Sequence, residues 1–239
     1  MPEVLLTLAE TRRETPDVRS FVFTPSAPVG HRAGQYLMLR MDAPGDPRGP
    51  SRTFTISSSP TEGDRIMITT RVSPSPFKQR LAGLPPGTEL RARAPMGTFA
   101  LHEDASKRAI FLAGGIGITS FRAMIRYAMD ADLPHEILLL YSCRTVEEIA
   151  LRRELEMLAA RNPRFRMVIT VTRPAESVER WDGPTSRIDA QFLKEHAGPL
   201  DDAIVYAAGP PATVEYLLRA ALSLGVPNEK TRAERFTGY

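Results

Sequence analysis

A chain of 239 residues, 42% hydrophobic and 25% charged, has ordinary globular proportions and is long enough for one large domain or two of about 100 to 130 residues. No apolar run reaches the roughly 18 to 20 residues that a membrane helix needs, and the start MPEVLLTLAETRRE lacks the basic head and apolar stretch of a secretory leader, so a cytoplasmic protein is expected. One cysteine, Cys143, excludes an internal disulfide and a four-cysteine iron–sulfur cluster, and the scattered arginines behind the net charge of +3 argue for acidic partners and against nucleic acid.

From Val4 to about Leu101 the chain reads as short strands: VLLTLAETRRE, VRSFVFTP, QYLMLRM, RTFTISSS, RIMITTRV and TELRARAP. Clusters of Pro, Gly, Asp and Ser separate them at the spacing of an antiparallel β-barrel or sandwich, with one short helix expected at Phe77–Leu81. The pattern changes near residue 103. The strand AIFLAGG is followed by the helix TSFRAMIRYAMDA, the strand EILLLYSC, one amphipathic helix over TVEEIALRRELEMLAARN, the strand RFRMVITVTRP, the helix DAQFLKEHA, the strand DAIVYAAGPP and the helix TVEYLLRAALSLG. Alternating strand and helix predicts an α/β doubly wound parallel sheet, so the expected division is an all-β domain at 1–103 and an α/β domain at 104–239.

The first strand of the second half ends in Gly114-Gly115-Ile116-Gly117 and opens into a helix at Thr119. A glycine turn at a helix N-terminus presents backbone N–H groups to a pyrophosphate, although Gly115-x-Gly117-x-x-Ser120 is an imperfect dinucleotide fingerprint and a tight βα turn needs glycine in any case. The next strand ends in Ser142-Cys143-Arg144 where an acidic ribose ligand would be expected. Serine and arginine suit a 2′-phosphate, which favours NADPH with NADH as the alternative; a solvated loop arginine is the plainer reading. A second turn, Gly209-Pro210-Pro211, falls on the same carboxyl edge of the sheet and would face the same ligand.

In the β half, Arg52-Thr53-Phe54-Thr55 lies on an alternating strand, with Arg52 and Phe54 on one face and Thr53 and Thr55 on the other. A cation, an aromatic surface and a hydroxyl are the groups a flavin nucleotide requires, but such a strand is common in any barrel.

Ordered motifs run through both halves: Gly34-Gln35-Tyr36, Arg52-Thr53-Phe54-Thr55, Pro95-Met96-Gly97-Thr98-Phe99, Ala113-Gly114-Gly115-Ile116-Gly117-Ile118-Thr119, Ala208-Gly209-Pro210-Pro211 and Glu234-Arg235-Phe236. In this order the chain resembles the ferredoxin–NADP reductase superfamily over essentially its whole length. The resemblance implies that the β-barrel binds FAD and the α/β domain binds NAD(P)H. Arg52 would pair with flavin phosphate, Phe54 would pack on the isoalloxazine ring and Thr55 would offer a hydrogen bond near N5, where most relatives have tyrosine and often serine at the last two positions. Thr69, Thr70 and Arg71 fall on the strand that contacts ribityl and phosphate, and Lys78 stands where relatives place a serine or threonine on the phosphate. Gly97 and Thr98 belong to the cofactor motif, Gly114, Gly115, Gly117 and Thr119 to the nicotinamide-nucleotide turn, and Ser142 and Arg144 to the 2′-phosphate position. Ser120 replaces a usual proline, and Ala208 stands where many relatives carry a cysteine beside the nicotinamide. The C-terminal Glu234 would help organise the site and Phe236 would cover the flavin, with a disordered tail as the competing reading.

The implied activity is hydride transfer from NAD(P)H to FAD, then electron transfer to an acceptor protein: ferredoxin, flavodoxin or an oxygenase component. Two alternatives are a reductase of free flavin and an electron-transfer subunit of a larger redox complex. Neither a metal site nor a membrane partner is expected.

Overall fold

A computed structural model describes residues 3–72 and 74–237. Six strands, β1 (Glu3–Arg13), β2 (Val18–Pro25), β3 (Tyr36–Arg40), β4 (Ser51–Thr55), β5 (Ile66–Arg71) and β6 (Glu89–Met96), form an antiparallel sheet in the order β4-β3-β6-β1-β2-β5. A single bridge between Ile56 and Ile68 joins the two edge strands and closes the sheet into a barrel. Strand alternation sends Leu6, Leu8, Phe21, Phe23, Leu37 and Leu39 inward, all fully buried. Helix α1 (Pro76–Ala82) adds Phe77 and Leu81 to that core. Its proline occupies the first turn, where a missing N–H costs nothing.

The second unit holds β7 (Arg108–Gly114), α2 (Ile118–Asp130), β8 (Ile137–Cys143), α3 (Arg152–Arg161), β9 (Phe165–Val171), α4 (Ala190–Ala197), β10 (Ala203–Gly209), α5 (Pro211–Leu222) and β11 (Thr231–Arg235). Its five strands are all parallel, in the order β11-β10-β7-β8-β9. α2 and α3 cover one face, where Phe111, Leu139 and Tyr141 are buried; α4 and α5 cover the other, where Ile110, Leu140 and Val205 are buried. The winding reverses between β7 and β10, so their carboxyl ends flank the crevice in which ligands of such sheets bind. No helix of the described residues is long and apolar enough to cross a membrane.

Two elements differ from the sequence expectation. The single helix expected over residues 145–162 is instead a 3-10 turn at Val146–Glu148 and a helix that begins only at Arg152, after Leu151 in a left-handed conformation. Side chains capture the backbone of the intervening segment: Val146 N donates to Ser177 Oγ at 3.0 Å and Ala150 N to Tyr141 Oη at 3.2 Å. Val146, Ile149, Ala150 and Leu151 are all buried in this broken segment. The other difference is β11, expected as part of a terminal segment and found as the parallel edge strand beside β10.

The crevice is built by close backbone approach. A Cβ added at Gly117 would lie 2.0 Å from the Ala208 carbonyl oxygen and 2.7 Å from Gly209 N, so only glycine lets the turn after β7 press against the end of β10. Gly117→Ala is therefore expected to destabilise the chain by about 3 kcal/mol, lowering Tm by roughly 6 to 12 °C in thermal unfolding. An unchanged Tm would show that the two turns separate freely.

Candidate active site

Between the two units lies a cavity of about 280 Å³, close to the lower end of the range that small-molecule sites span. The barrel contributes β4, β5 and α1 to its wall; the second unit contributes Ile116, Thr119 and the segment from Glu234 to Thr237. Of the residues singled out in the sequence, Arg52, Thr53, Phe54, Thr55, Thr69, Thr70, Lys78, Thr119, Glu234 and Phe236 meet there.

Arg52 is almost completely buried and its charge is already organised. It pairs with Asp46, and its Nη1 donates to the carbonyls of Arg48 at 3.0 Å, Gly49 at 3.0 Å and Ser51 at 2.7 Å. Asp46 in turn accepts from Phe77 N at 3.0 Å and Ser75 Oγ at 2.9 Å. The Phe77 N–H above all, with Arg48 N–H, Ser75 and Arg52, holds the Asp46 carboxyl well below the usual carboxylate range. Arg52 Nε is buried without a hydrogen-bond partner. Lys78 is buried in the same wall, and burial, then the charges of Arg48, Arg52 and Arg71, push its ammonium down to about 8. Three cations on the barrel side of the cavity, Arg48, Arg52 and Lys78, one of them with an orphaned N–H, fit a phosphate-bearing ligand.

Phe54 is 7% exposed; its ring belongs to the barrel core, 6.2 Å from Phe77, and also walls the cavity. Thr53 faces outward at the rim. Thr55 Oγ1 lies 3.5 Å from Ser120 Oγ on α2. Thr69 Oγ1 sits between Ser20 Oγ at 2.8 Å and Ser57 Oγ at 2.9 Å, which ties its strand to two neighbours. Thr119 Oγ1 donates to the Ile116 carbonyl at 3.0 Å, stabilising the turn that opens α2.

The remaining sequence-selected residues lie outside this lining. Arg71 bridges the two units, with Asp17 at 2.8 Å and Glu148 at 3.4 Å. Gly97 acts through Tyr36: a Cβ there would come within 2.6 Å of the Tyr36 ring, which does line the cavity. Thr98 is exposed beside it. Gly114, Gly115 and Gly117 form the turn at the crevice, facing Gly209 and Pro210 at the end of β10. Ser142 is in register with Gly114 on the adjacent strand, and exposed Arg144 follows it on the same carboxyl edge. Tyr36, Asp46 and Arg48 were not selected from the sequence as site residues. Tyr36 sits in a quoted motif, but the six-residue interval from Asp46 to Arg52 inside a Pro/Gly-rich loop carries no periodic signal.

At the other end, Phe236 N donates to the Gly209 carbonyl at 2.9 Å, docking the segment after β11 on the crevice. The last two residues of the expected terminal segment, Gly238 and Tyr239, lie outside the described residues. Burial pushes the Glu234 carboxyl up to about 7. An acid with a raised folded-state pKa contributes stability that is fully present below the unfolded value of 4.5 and is lost as pH rises through about 7. Glu234→Gln is thus expected to flatten the decline in Tm between pH 5 and 8 relative to the unmodified chain; parallel curves in a pH series of thermal melts would refute the assignment.

A crevice at the carboxyl edge of a parallel sheet beside a cationic cavity is an arrangement suited to a nucleotide ligand, and comparison with known proteins identifies the class as a FAD- and NAD-binding oxidoreductase. The oxidoreductase FAD-binding domain family matches residues 5–101 and the oxidoreductase NAD-binding domain family matches residues 111–218. Ferredoxin–NADP reductase B of Sorangium cellulosum is 30% identical over 230 residues, covering 93% of this chain and 89% of that protein. The chain belongs to the ferredoxin–NADP reductase superfamily. The glycine betaine monooxygenase reductase subunit of Chromohalobacter salexigens is 28% identical over 228 residues, 94% of this chain, which spans 61% of that relative's length. The fold is shared with the FAD/NAD-binding domain of a Vibrio cholerae nitric oxide dioxygenase, at a TM-score of 0.85 and 20% identity over 98% of each chain.

Proposed function

We propose that this chain is an NAD(P)H-dependent flavoprotein reductase that passes electrons from FAD to a separate acceptor protein, of the oxygenase-component or ferredoxin type. The observation that carries the reading is a cavity walled by both units, with cations gathered at the barrel side and Thr55, Thr119 and Glu234 lining it from β4, α2 and β11. Relatives named as reductase components of oxygenase systems, including that of terephthalate 1,2-dioxygenase from Comamonas sp, support the choice of acceptor class. A cytoplasmic location and a domain boundary near residue 103, between β6 and β7, are parts of the same reading.

FAD, when bound, would supply the redox chemistry that links a two-electron donor to a one-electron acceptor. The chain supplies binding and alignment. Arg52, Lys78 and Arg48 would hold the phosphates, Arg52 being pre-aimed by Asp46, and the Phe54 and Phe236 rings would enclose the flavin. Thr55 would orient the reactive edge through its hydroxyl. Glu234, titrating near neutrality, would hold or yield a proton at its carboxyl oxygen at working pH. The crevice between Gly114–Gly117 and Gly209–Pro210 would seat the nicotinamide nucleotide, with Ser142 and Arg144 on the ribose phosphate, which favours NADPH over NADH.

Purified protein is expected to show a flavin absorption spectrum, retained or restored with added FAD, that bleaches on anaerobic addition of NADPH. A colourless protein that binds no FAD would remove the reading. Lys78→Met is expected to weaken FAD affinity by on the order of ten- to a hundredfold, with a shallower salt dependence, in fluorescence titration. Arg144→Ala should raise the KM for NADPH by on the order of tenfold and leave that for NADH unchanged. Equal effects on both nucleotides would refute the 2′-phosphate role.

A further inference from the structure

Helix α2 runs along the segment that follows β4, and the two are joined at successive points. Thr55 Oγ1 approaches Ser120 Oγ at 3.5 Å, the Ser57 carbonyl accepts from Arg122 Nη1 at 2.9 Å, and Thr61 Oγ1 donates to Asp130 at 2.7 Å. The middle joint is the strongest. The Arg122 side chain is 4% exposed and its guanidinium bridges Glu62, from the barrel side, and Glu154 on α3. All three of its nitrogens are engaged: Nε with Glu154 at 3.0 Å, Nη1 with Ser57 and Glu62, Nη2 with Glu62 at 2.8 Å and with Glu154. Glu62 is anchored in addition by the Ser59 N–H at 2.6 Å.

A guanidinium fork restrains direction as well as distance, and a buried one is stable only while every partner is present. Arg122 is placed to use that rigidity. Its contact at Ser57 is two residues beyond Thr55, and it stands three residues beyond Thr119, and those two threonines wall the cavity from opposite units. Neither Arg122 nor Glu62 lines the cavity. A displacement of about 1 Å between reacting groups costs on the order of a hundredfold in rate, so whatever sets the gap between these walls sets the reaction.

We propose that Arg122 and Glu62 form a positioning pair that fixes the separation between the wall carrying Thr55 and the wall carrying Thr119, and with it the distance over which hydride crosses from nicotinamide nucleotide to flavin. The inference rests on the reductase reading of the cavity. No proton or electron passes through the pair: the hydride carries both electrons directly from donor to acceptor, and Arg122 stays charged throughout, because against the pull of burial Glu62 and Glu154 together hold its guanidinium above its ordinary range.

The test uses the FAD-loaded chain and two variants, Arg122→Lys and the isosteric Glu62→Gln. Flavin content, the Kd for NADPH, the single-turnover rate of flavin reduction and the temperature dependence of its deuterium isotope effect are measured, together with the relative orientation of the two units in the FAD-free chain by residual dipolar couplings. Both variants are expected to keep flavin content and nucleotide Kd within about twofold, slow flavin reduction by about tenfold or more, make the isotope effect temperature-dependent and shift the orientation of the units. The double variant should be little worse than the poorer single one, because the two residues act as a unit. Unchanged reduction rates, or losses that merely track weaker flavin or nucleotide binding, would overturn the proposal; should Arg122→Lys fail to fold, Glu62→Gln decides alone. If the unmodified chain transfers no hydride, the reductase reading fails, and an unaltered orientation in the variants separately refutes the positioning role.

Discussion

One buried guanidinium, that of Arg122, lies at the seam between the two units and pairs with carboxylates on both sides of it. Barrel and parallel sheet each have a core of their own, and a third cluster packs Val18, Ala33, Phe99 and Leu101 of the barrel half together with Phe111, Phe121 and Met124 of the second unit. The cavity exists only because the two are held at a definite distance, and Arg122, between Glu62, Glu154 and the Ser57 carbonyl, is the most buried charged contact that holds them. Its neighbours Arg71–Glu148 and Thr61–Asp130 join the same two units but are more exposed, and exposed pairs contribute little. Position in the interface, more than strength, gives Arg122 its importance: it is within one helical turn of Thr119.

Charge is arranged around the cavity by the same logic. Burial first, and then the charges of Arg48, Arg52 and Arg71, depress the ammonium of Lys78. Asp46 offsets part of that positive charge and aims Arg52, while the Phe77 and Arg48 N–H groups keep Asp46 ionised. A wall that gathers cations in this way favours an anionic ligand, in keeping with the proposed phosphate contacts. Glu234 on the opposite side responds differently to burial. Its burial moves the carboxyl toward the neutral form instead of deeper ionisation.

Much of this was legible in the sequence because it depends on local patterns. Period-two alternation marked the six barrel strands, apolar runs closed by glycine marked β7 and β10, and the ordered motifs placed Arg52-Thr53-Phe54-Thr55 and Gly114–Thr119 in the right units. The glycines could be read as turns, but not that Gly117 rests on Ala208, since the contact joins residues some ninety positions apart. β11 escaped because Thr231–Arg235 has no alternation of its own; it is a strand because the exposed edge of β10 offers it a ladder. The break at residues 149–151 escaped for a similar reason: helical periodicity continues through it, and only Tyr141 and Ser177, brought there by the sheet, divert the backbone.

The sequence by itself therefore determined the two fold classes, their order and the residue types that a flavin and a nicotinamide nucleotide require, because propensity, periodicity and turn chemistry act over a few residues. Only the tertiary structure decided which of those residues share a cavity, that Asp46 organises Arg52, that Gly97 serves Tyr36 and that Arg122 locks one unit to the other. Those relations arise from burial and from charges brought within hydrogen-bond reach across long chain separations. Such energies come into being only when the chain is folded.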